Sequence, residues 1–399
     1  MDKWLSVVGI GDDGLAGLSP VALAHLNQAQ LIVGGKRHLA MLGEDDRPQI
    51  AWSGPIANTL EQILSYRSTP VCILASGDPM CYGIGATLTR YLPLSEISIL
   101  PAPSAFSLAC ARLGWSLPEV ETISLCGRDP ALLNAVLYPG ARILVLSADG
   151  TTPDTVAKLL AKRGYDATKM TVLEHLGGAQ ERHLRGIASD WLHTDLQNLN
   201  TIALECPLDV PGYSRLPGLP DDAYQHDGQL TKREVRAITL STLAPVPGQL
   251  LWDVGAGSGA IGIEWMRSHP SCRAIAIESH PERLQTIAHN ATNLGVPNLQ
   301  IIAGRAPAAL QDLLTPDVIF IGGGLTVEGV FETCWQTLRP GGRLVANGVT
   351  VQTEQRIFQL QQAYGGELNR IAIQRAQPVG KFLGWRAMAP VTQWQVMKK

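Results

Sequence analysis

Apolar and polar positions along this chain fall into two registers. Short runs rich in Val, Ile and Leu recur through the first half: WLSVVGIG, LIVGG, PVCILAS, ISILPA, ETISLCG, RILVLSA, KMTVLEHLG and NTIALEC. Runs of that length and β-branched content, several of them ending at Gly, Ser, Asp or Pro, predict buried strands. Segments of helical period stand between them, among them PVALAHLNQA and SAFSLACARLG. Strand–helix alternation predicts an α/β domain with functional loops at the carboxyl ends of its strands.

The second half keeps a more regular rhythm. LLWDVG, RAIAIES, LQIIAG, DVIFIGG and RLVANGV predict strands, each followed by a helical segment. NRIAIQRAQPV and GWRAMAPVTQWQVMK predict an antiparallel hairpin that closes an otherwise parallel sheet. Between the halves, Pro207, Pro211, Pro217 and Pro220 break any helix and suit no internal strand. The chain is therefore cut near residue 215, into a domain over 1–210, a Pro-rich linker over 211–226 and a second domain over 227–399. LTKREVRAITLSTL predicts an amphipathic helix leading into the first strand of that domain.

Composition narrows the class. A chain of 399 residues with 45% hydrophobic and 17% charged residues is a globular protein with room for more than one core. A net charge of −3 gives no general attraction to nucleic acid or membrane, and no apolar run is long enough to span a bilayer. The seven cysteines are dispersed without a C-x-x-C pair, which predicts reduced thiols, no zinc site and a cytoplasmic protein. His175, His183, His280 and His289 show no paired spacing, so no metal site is expected.

The chemistry concentrates in LWDVGAGSGAIGIEW. Gly257, Gly259 and Gly262 fit G-x-G-x-x-G, and Glu278 closes the next strand, the outline of a dinucleotide fingerprint. Three features favour S-adenosylmethionine over a nicotinamide cofactor. Asp253 precedes Gly255, Gly257 and Gly259 at alternate positions, with Ala256 and Ser258 between them, giving a surface without bulky side chains and with freedom for positive φ. AGRAPAAL follows the third strand, where backbone groups can hold an adenine. PDVIFIGGG and LRPGGRLV then supply a fourth strand, a helix, a turn and a fifth strand. In this arrangement Asp253 accepts a hydrogen bond from the ligand's ammonium or a water, and Glu278 meets the ribose diol.

That series resembles the class I, Rossmann-like S-adenosylmethionine-dependent methyltransferases. With DGQLTKREVRAITLSTL ahead of it, it resembles the CbiT-type precorrin methyltransferases over nearly all of residues 225–399. The resemblance places Thr231, Glu278 and Ala306 against the cofactor. The first half resembles the tetrapyrrole methylase family, class III, over about residues 4–205. VVGIGDDGLAGLSP, ILASGDPMCYGIG, LPAPSAFSLACARLG and ISLCGR stand in that family's order, and VGGKRHL is similar to the CbiE subgroup. The resemblance implies a folded cofactor in a cleft between two α/β halves. It places Gly9 and Gly11 in a first loop, Gly77, Asp78, Pro79, Tyr82 and Gly83 in a second, and Ser104 and Ala105 in a third. Where many relatives have Gly-Arg after the aromatic of the second loop, this chain has Gly83-Ile84.

A CbiE-like domain fused to a CbiT-like domain is the arrangement of the decarboxylating precorrin-6Y methyltransferases. It implies methyl transfer to two ring carbons, C5 in the first domain and C15 in the second, with loss of carbon dioxide from an acetate arm. It also implies a homo-oligomer. Such a substrate carries many carboxylates, so candidate cations are Lys232, Arg233, Arg236 and Arg305 in the second domain. Those in the first are Lys36, Arg37, His38, Arg112 and Arg128. Methyl transfer to an electron-rich carbon needs alignment rather than a nucleophilic side chain, and no catalytic acid, base or nucleophile is assigned. The competing classes are an RNA or protein methyltransferase and a nicotinamide-linked oxidoreductase; a cobalt-bearing substrate is the alternative to the metal-free one, and the sequence does not say whether the ring carries cobalt.

Overall fold

Strands that lack polar alternation bury both faces, and the first run sets the pattern: all six residues of β1 (Leu5–Ile10) are buried. The computed structural model describes residues 3–52, 56–67 and 69–399. Its contacts separate two units, Met1–Pro130 with Pro139–Pro211, and Ala131–Tyr138 with Gly212–Lys399.

The first unit contains two sheets. One is wholly parallel, ordered β3-β2-β4-β1-β5, from β1, β2 (Leu31–Gly34), β3 (Gln49–Ala51), β4 (Val71–Ser76) and β5 (Ile97–Leu100). The other is mixed, ordered β6-β7-β10-β8-β9, from β6 (Glu121–Ser124), β7 (Arg142–Leu146), β8 (Lys169–Glu174), β9 (Arg182–Ile187) and β10 (Asn200–Glu205). The sequence pattern predicts eight of these ten strands and misses β3 and β9. Three residues are too few to show a period, and β9 (RHLRGI) is an edge strand with four of its six residues exposed. Helix Ala105–Leu113, which follows the third loop, starts where Ser104 accepts from the Ser107 N–H and ends at Gly114 with φ +68°.

The second unit is a seven-stranded sheet ordered β13-β12-β11-β14-β15-β19-β16. The five parallel strands are β11 (Leu250–Val254), β12 (Arg273–Glu278), β13 (Gln300–Ala303), β14 (Val318–Ile321) and β15 (Arg343–Gly348). Along β11, Leu251 packs into one core cluster while Leu250, Trp252 and Val254 pack into another, so the strand is covered on both sides. The expected closing hairpin is present, but it is interrupted. Its inner ends, β16 (Glu367–Ile371) and β19 (Val391–Met397), join the sheet antiparallel, while β17 (Gln374–Val379) and β18 (Phe382–Ala387) leave it as a separate two-stranded sheet. Pro390 has no N–H to continue the ladder at this break.

The segment expected as a linker over 211–226 is packed into this unit. Leu219 is 2% and Tyr224 4% exposed, both within its core. Glu264, itself 2% exposed, accepts from the N–H groups of Gly218 and Leu219 and from the Tyr224 hydroxyl, at 2.6, 3.1 and 2.9 Å. The Pro-rich composition marks a stretch whose one regular turn is the short 3-10 helix Asp221–Ala223, and burial of two side chains orders it.

Candidate active sites

Each unit holds a cavity over the carboxyl ends of its parallel strands. In the first unit the cavity is about 410 Å³ and the loops after β1, β4 and β5 form one side of it. Those loops are joined backbone to backbone: the Gly77 N–H donates to the Ile10 carbonyl (3.0 Å) and the Ala102 N–H to that of Gly77 (3.2 Å). A Cβ on Gly9 would lie 2.0 Å from the Gly77 oxygen, so this position has room for hydrogen only. Gly9 is therefore corrected from a wall residue to one that lets the loops meet; it does not line the cavity. Gly11, Gly77, Asp78, Gly83, Ser104 and Ala105 do line it. Asp78 turns its carboxylate onto the Met80 N–H (2.8 Å) and shapes its own loop.

Among the candidate cations of this unit, Arg37 reaches the wall already engaged. It donates to Asp12 (2.9 Å) and Ser76 (3.2 Å) and lies 3.1 Å from His38 Nε2. Asp12 also meets His175 Nδ1 at 2.9 Å. Burial, with the Arg37 charge beside it, lowers the His38 pKa to about 4, so the imidazole stands neutral at pH 7. Lys36 and Arg112 lie off the wall, the latter paired with Glu181 at 2.6 Å. Arg128 sits 4.8 Å above the Tyr82 ring, and Tyr82 lines the cavity with φ +55°.

The second cavity is larger, about 890 Å³. Gly255, Gly257 and Gly259 all take positive φ, at +72°, +60° and +79°. A Cβ on Gly255 would sit 2.9 Å from the Gly323 nitrogen, whereas one on Gly257 would meet nothing closer than the Gln229 oxygen at 3.5 Å. Gly255, Ala256, Gly257 and Ser258 line the cavity; Gly259 does not, a second correction. Gly259 instead opens helix Ala260–Ser268, with Ile287 2.9 Å from where its Cβ would be.

Two acids stand behind this loop. Glu278 accepts from the Gly257 N–H through Oε2 (2.9 Å) and from the Ser279 and His280 N–H groups through Oε1 (2.8 and 2.9 Å). The carboxylate is thereby fixed at the end of β12, with one lone-pair site of Oε2 left for a ligand at the wall. Asp253, 1% exposed, accepts from the Gly262 N–H (2.9 Å). Burial raises its pKa to about 7, and the nearby Glu278 charge adds to the effect.

Thr231, Lys232, Arg305 and Ala306 also line this cavity. Arg236 does not, and its reading as a substrate cation is corrected. It is 0% exposed, bonded to Glu264 (2.5 Å), Asp221 (3.3 Å) and the carbonyls of Thr231 and Leu219, with its guanidinium 4.8 Å over Tyr224. Helical spacing placed it beside Lys232, but the spacing does not say which face meets the core. Arg233 is exposed and away from the wall. Sequence reasoning missed Arg283, paired with Asp227 at 2.8 Å, and also Asn347, Met388 and Ala389. Asn347 had only its place at a strand end to mark it, and the other two come to the wall through the break in the hairpin.

The comparisons with known proteins match a different family model to each part of the chain. Residues 5–190 match the model of Tetrapyrrole (Corrin/Porphyrin) Methylases, and residues 222–398 match a precorrin methyltransferase domain. The class is thus a methyltransferase with two methylase domains in one chain. A precorrin-6Y C(5,15)-methyltransferase [decarboxylating] from Sinorhizobium sp. is 46% identical over 406 aligned positions, covering 100% of this chain and 97% of that protein. The chain belongs to the precorrin-6Y C5,15-methyltransferase (decarboxylating) family. A probable cobalt-precorrin-6B C(15)-methyltransferase (decarboxylating) from Saccharolobus solfataricus is 33% identical over 35% of this chain and 72% of that protein. The solved C-terminal domain of the Rhodobacter capsulatus precorrin-6Y C5,15-methyltransferase is 43% identical, covers 47% of this chain and 100% of that domain, and has a TM-score of 0.45. No described helix is long and apolar enough to cross a membrane.

Proposed function

We propose that this chain methylates a precorrin-6Y macrocycle at C5 in the first unit and at C15 in the second, and removes carbon dioxide from its C12 acetate in the second, giving precorrin-8 for cobalamin. S-adenosylmethionine is the methyl donor at both sites. The observation that carries the reading is the pair of separate cavities, each formed by glycine-containing loops at the carboxyl ends of parallel strands. The Saccharolobus relative combines C15 methylation and decarboxylation in its name while matching 35% of this chain, which supports placing both steps in one unit.

The second cavity suits the donor. Gly257 leaves its loop bare, and Glu278 presents a carboxylate already oriented by three N–H groups, as a ribose diol requires. Asp253 stands behind it for an ammonium. When bound, S-adenosylmethionine supplies an electrophilic methyl on a sulfonium. The chain's own work is to orient and to exclude water, which in favourable cases supplies roughly 7–11 kcal/mol of the barrier. Lys232 and Arg305 hold substrate carboxylates on the second wall and Arg37 on the first. The same reading makes the protein a cytoplasmic homo-oligomer that acts on a small molecule and not on nucleic acid.

Anaerobic incubation with S-adenosylmethionine and a precorrin-6 substrate, followed by mass spectrometry, tests it. Gain of two methyl groups with loss of one carbon dioxide is expected. No mass change with either metal-free or cobalt-bearing substrate overturns it.

A further inference from the structure

The sheet order sets Glu278 and Asn347 three strands apart, so the second cavity extends about 14 Å from the glycine loop to the end of β15. Past β14 the wall is apolar, with Val327, Val330, Val349, Met388 and Val391. Asn347 is the amide set among them.

Its orientation is fixed from beneath. The Gln393 NH₂ donates to Thr239 Oγ1 (3.2 Å) and Asn347 Oδ1 (3.0 Å), while its Oε1 lies 2.8 Å from Thr242 Oγ1, a hydroxyl that also reaches the Ile238 carbonyl at 3.0 Å. Asn347 Nδ2 therefore also donates to Thr239 Oγ1 (2.9 Å). Gln393 and Thr239 are both 0% exposed. An amide has two N–H donors, and this chain of bonds uses one, so a second remains at the cavity wall. Four bonds and two wholly buried polar side chains are an expensive way to hold a half-buried asparagine at a cavity wall, since each buried group must be satisfied.

We propose that Asn347 contacts the acetate carboxylate that is lost, holding it by one neutral N–H over the apolar wall. This rests on the reading that the second unit decarboxylates. The bond between the acetate methylene and the carboxyl carbon breaks, its electron pair enters the conjugated ring, and carbon dioxide leaves. The methylene then takes one proton from water, so an acetate arm becomes a methyl group and hydroxide balances the charge. A cation at this point would stabilise the carboxylate before the bond breaks and oppose its loss; a neutral amide sets direction without that penalty. Gln393 acts through Asn347 as a positioning residue.

The test uses the full chain with S-adenosylmethionine and the precorrin substrate, and mass spectrometry to separate product that is methylated only from product also decarboxylated. Asn347→Leu is expected to slow decarboxylation about 10- to 100-fold, the loss of one hydrogen bond to a charged group. Calorimetric affinity for S-adenosylmethionine and methylation by the first unit should stay within about twofold of wild type. Gln393→Met should shift the product ratio the same way. A wild-type ratio in Asn347→Leu overturns the proposal, as does a ratio that moves with Lys232→Met and not with Asn347→Leu. Loss of cofactor affinity together with decarboxylation would make Asn347 structural and also overturn it. A wild-type protein inert on the substrate overturns the functional reading, and this inference with it.

Discussion

Replacing Asp253 with asparagine should change how the stability of the second unit depends on pH. The carboxyl is 1% exposed and its pKa rises from 3.8 to about 7, chiefly through burial. A folded pKa above the unfolded one means that the folded state holds the proton more tightly. The resulting stabilisation is complete below about pH 4 and is lost as pH rises to 7. At 1.36 kcal/mol per pH unit the whole span is roughly 4 kcal/mol, and the part between pH 5 and 7 roughly 3 kcal/mol. Asparagine carries no charge, and its side-chain oxygen can still accept from the Gly262 N–H that now bonds Asp253 at 2.9 Å. The variant should therefore gain about 3 kcal/mol on wild type between pH 5 and pH 8.5. Hydrogen exchange read by mass spectrometry, normalised for intrinsic rates, measures this on peptides from β11 and helix Ala260–Ser268. If the gap between the two proteins is the same at both pH values, Asp253 does not titrate in the buried site and the reasoning is wrong. With bound sulfonium donor, wild type should bind more tightly as pH rises through 7 while the variant shows no such trend; calorimetry checks it.

In the first unit the slope should be opposite. The His38 pKa falls from 6.5 to about 4, so the stability it contributes is present above pH 6.5 and is lost as pH falls to 4, by roughly 3 kcal/mol. His38→Gln should flatten this slope in exchange measured on β1 and β4 peptides. Gly257→Arg should fill the open side of the second glycine loop and abolish the second unit's methylation while the first unit's continues, visible as a product with a single added methyl. Arg236→Met should destabilise the second unit by about 3–5 kcal/mol, because Glu264 is left buried without its cation; a melting temperature like that of wild type would contradict this.

How much of this was legible along the chain depends on the range of the interaction. β11, its glycine turn and the following helix are contiguous, and each glycine with positive φ there answers a local backbone demand that any reader of Asp253–Gly259 can infer. Glu278 followed because the next parallel strand must end beside that turn. Gly9 and Gly259 belonged to the right loops, but whether such a residue faces a ligand or packs against another part of the chain depends on neighbours far away in sequence, here the Gly77 backbone and the Ile287 side chain.

What the sequence determined by itself, then, is most of the succession of elements, the position of the two sets of glycine loops and the family likeness, because these are written in adjacent residues and short periods. Tertiary structure alone decided which polar groups belong to the interior and which to a site. Arg236 and Lys232 lie four positions apart, yet one is locked under Tyr224 by Glu264 and the other reaches the cavity. Asn347 is oriented by Gln393 and Thr239, which come from the far end of the chain and from a helix more than a hundred residues earlier. Such partners share no local pattern; they meet because the sheet places β19 against β15 and the core then closes around whatever it must satisfy.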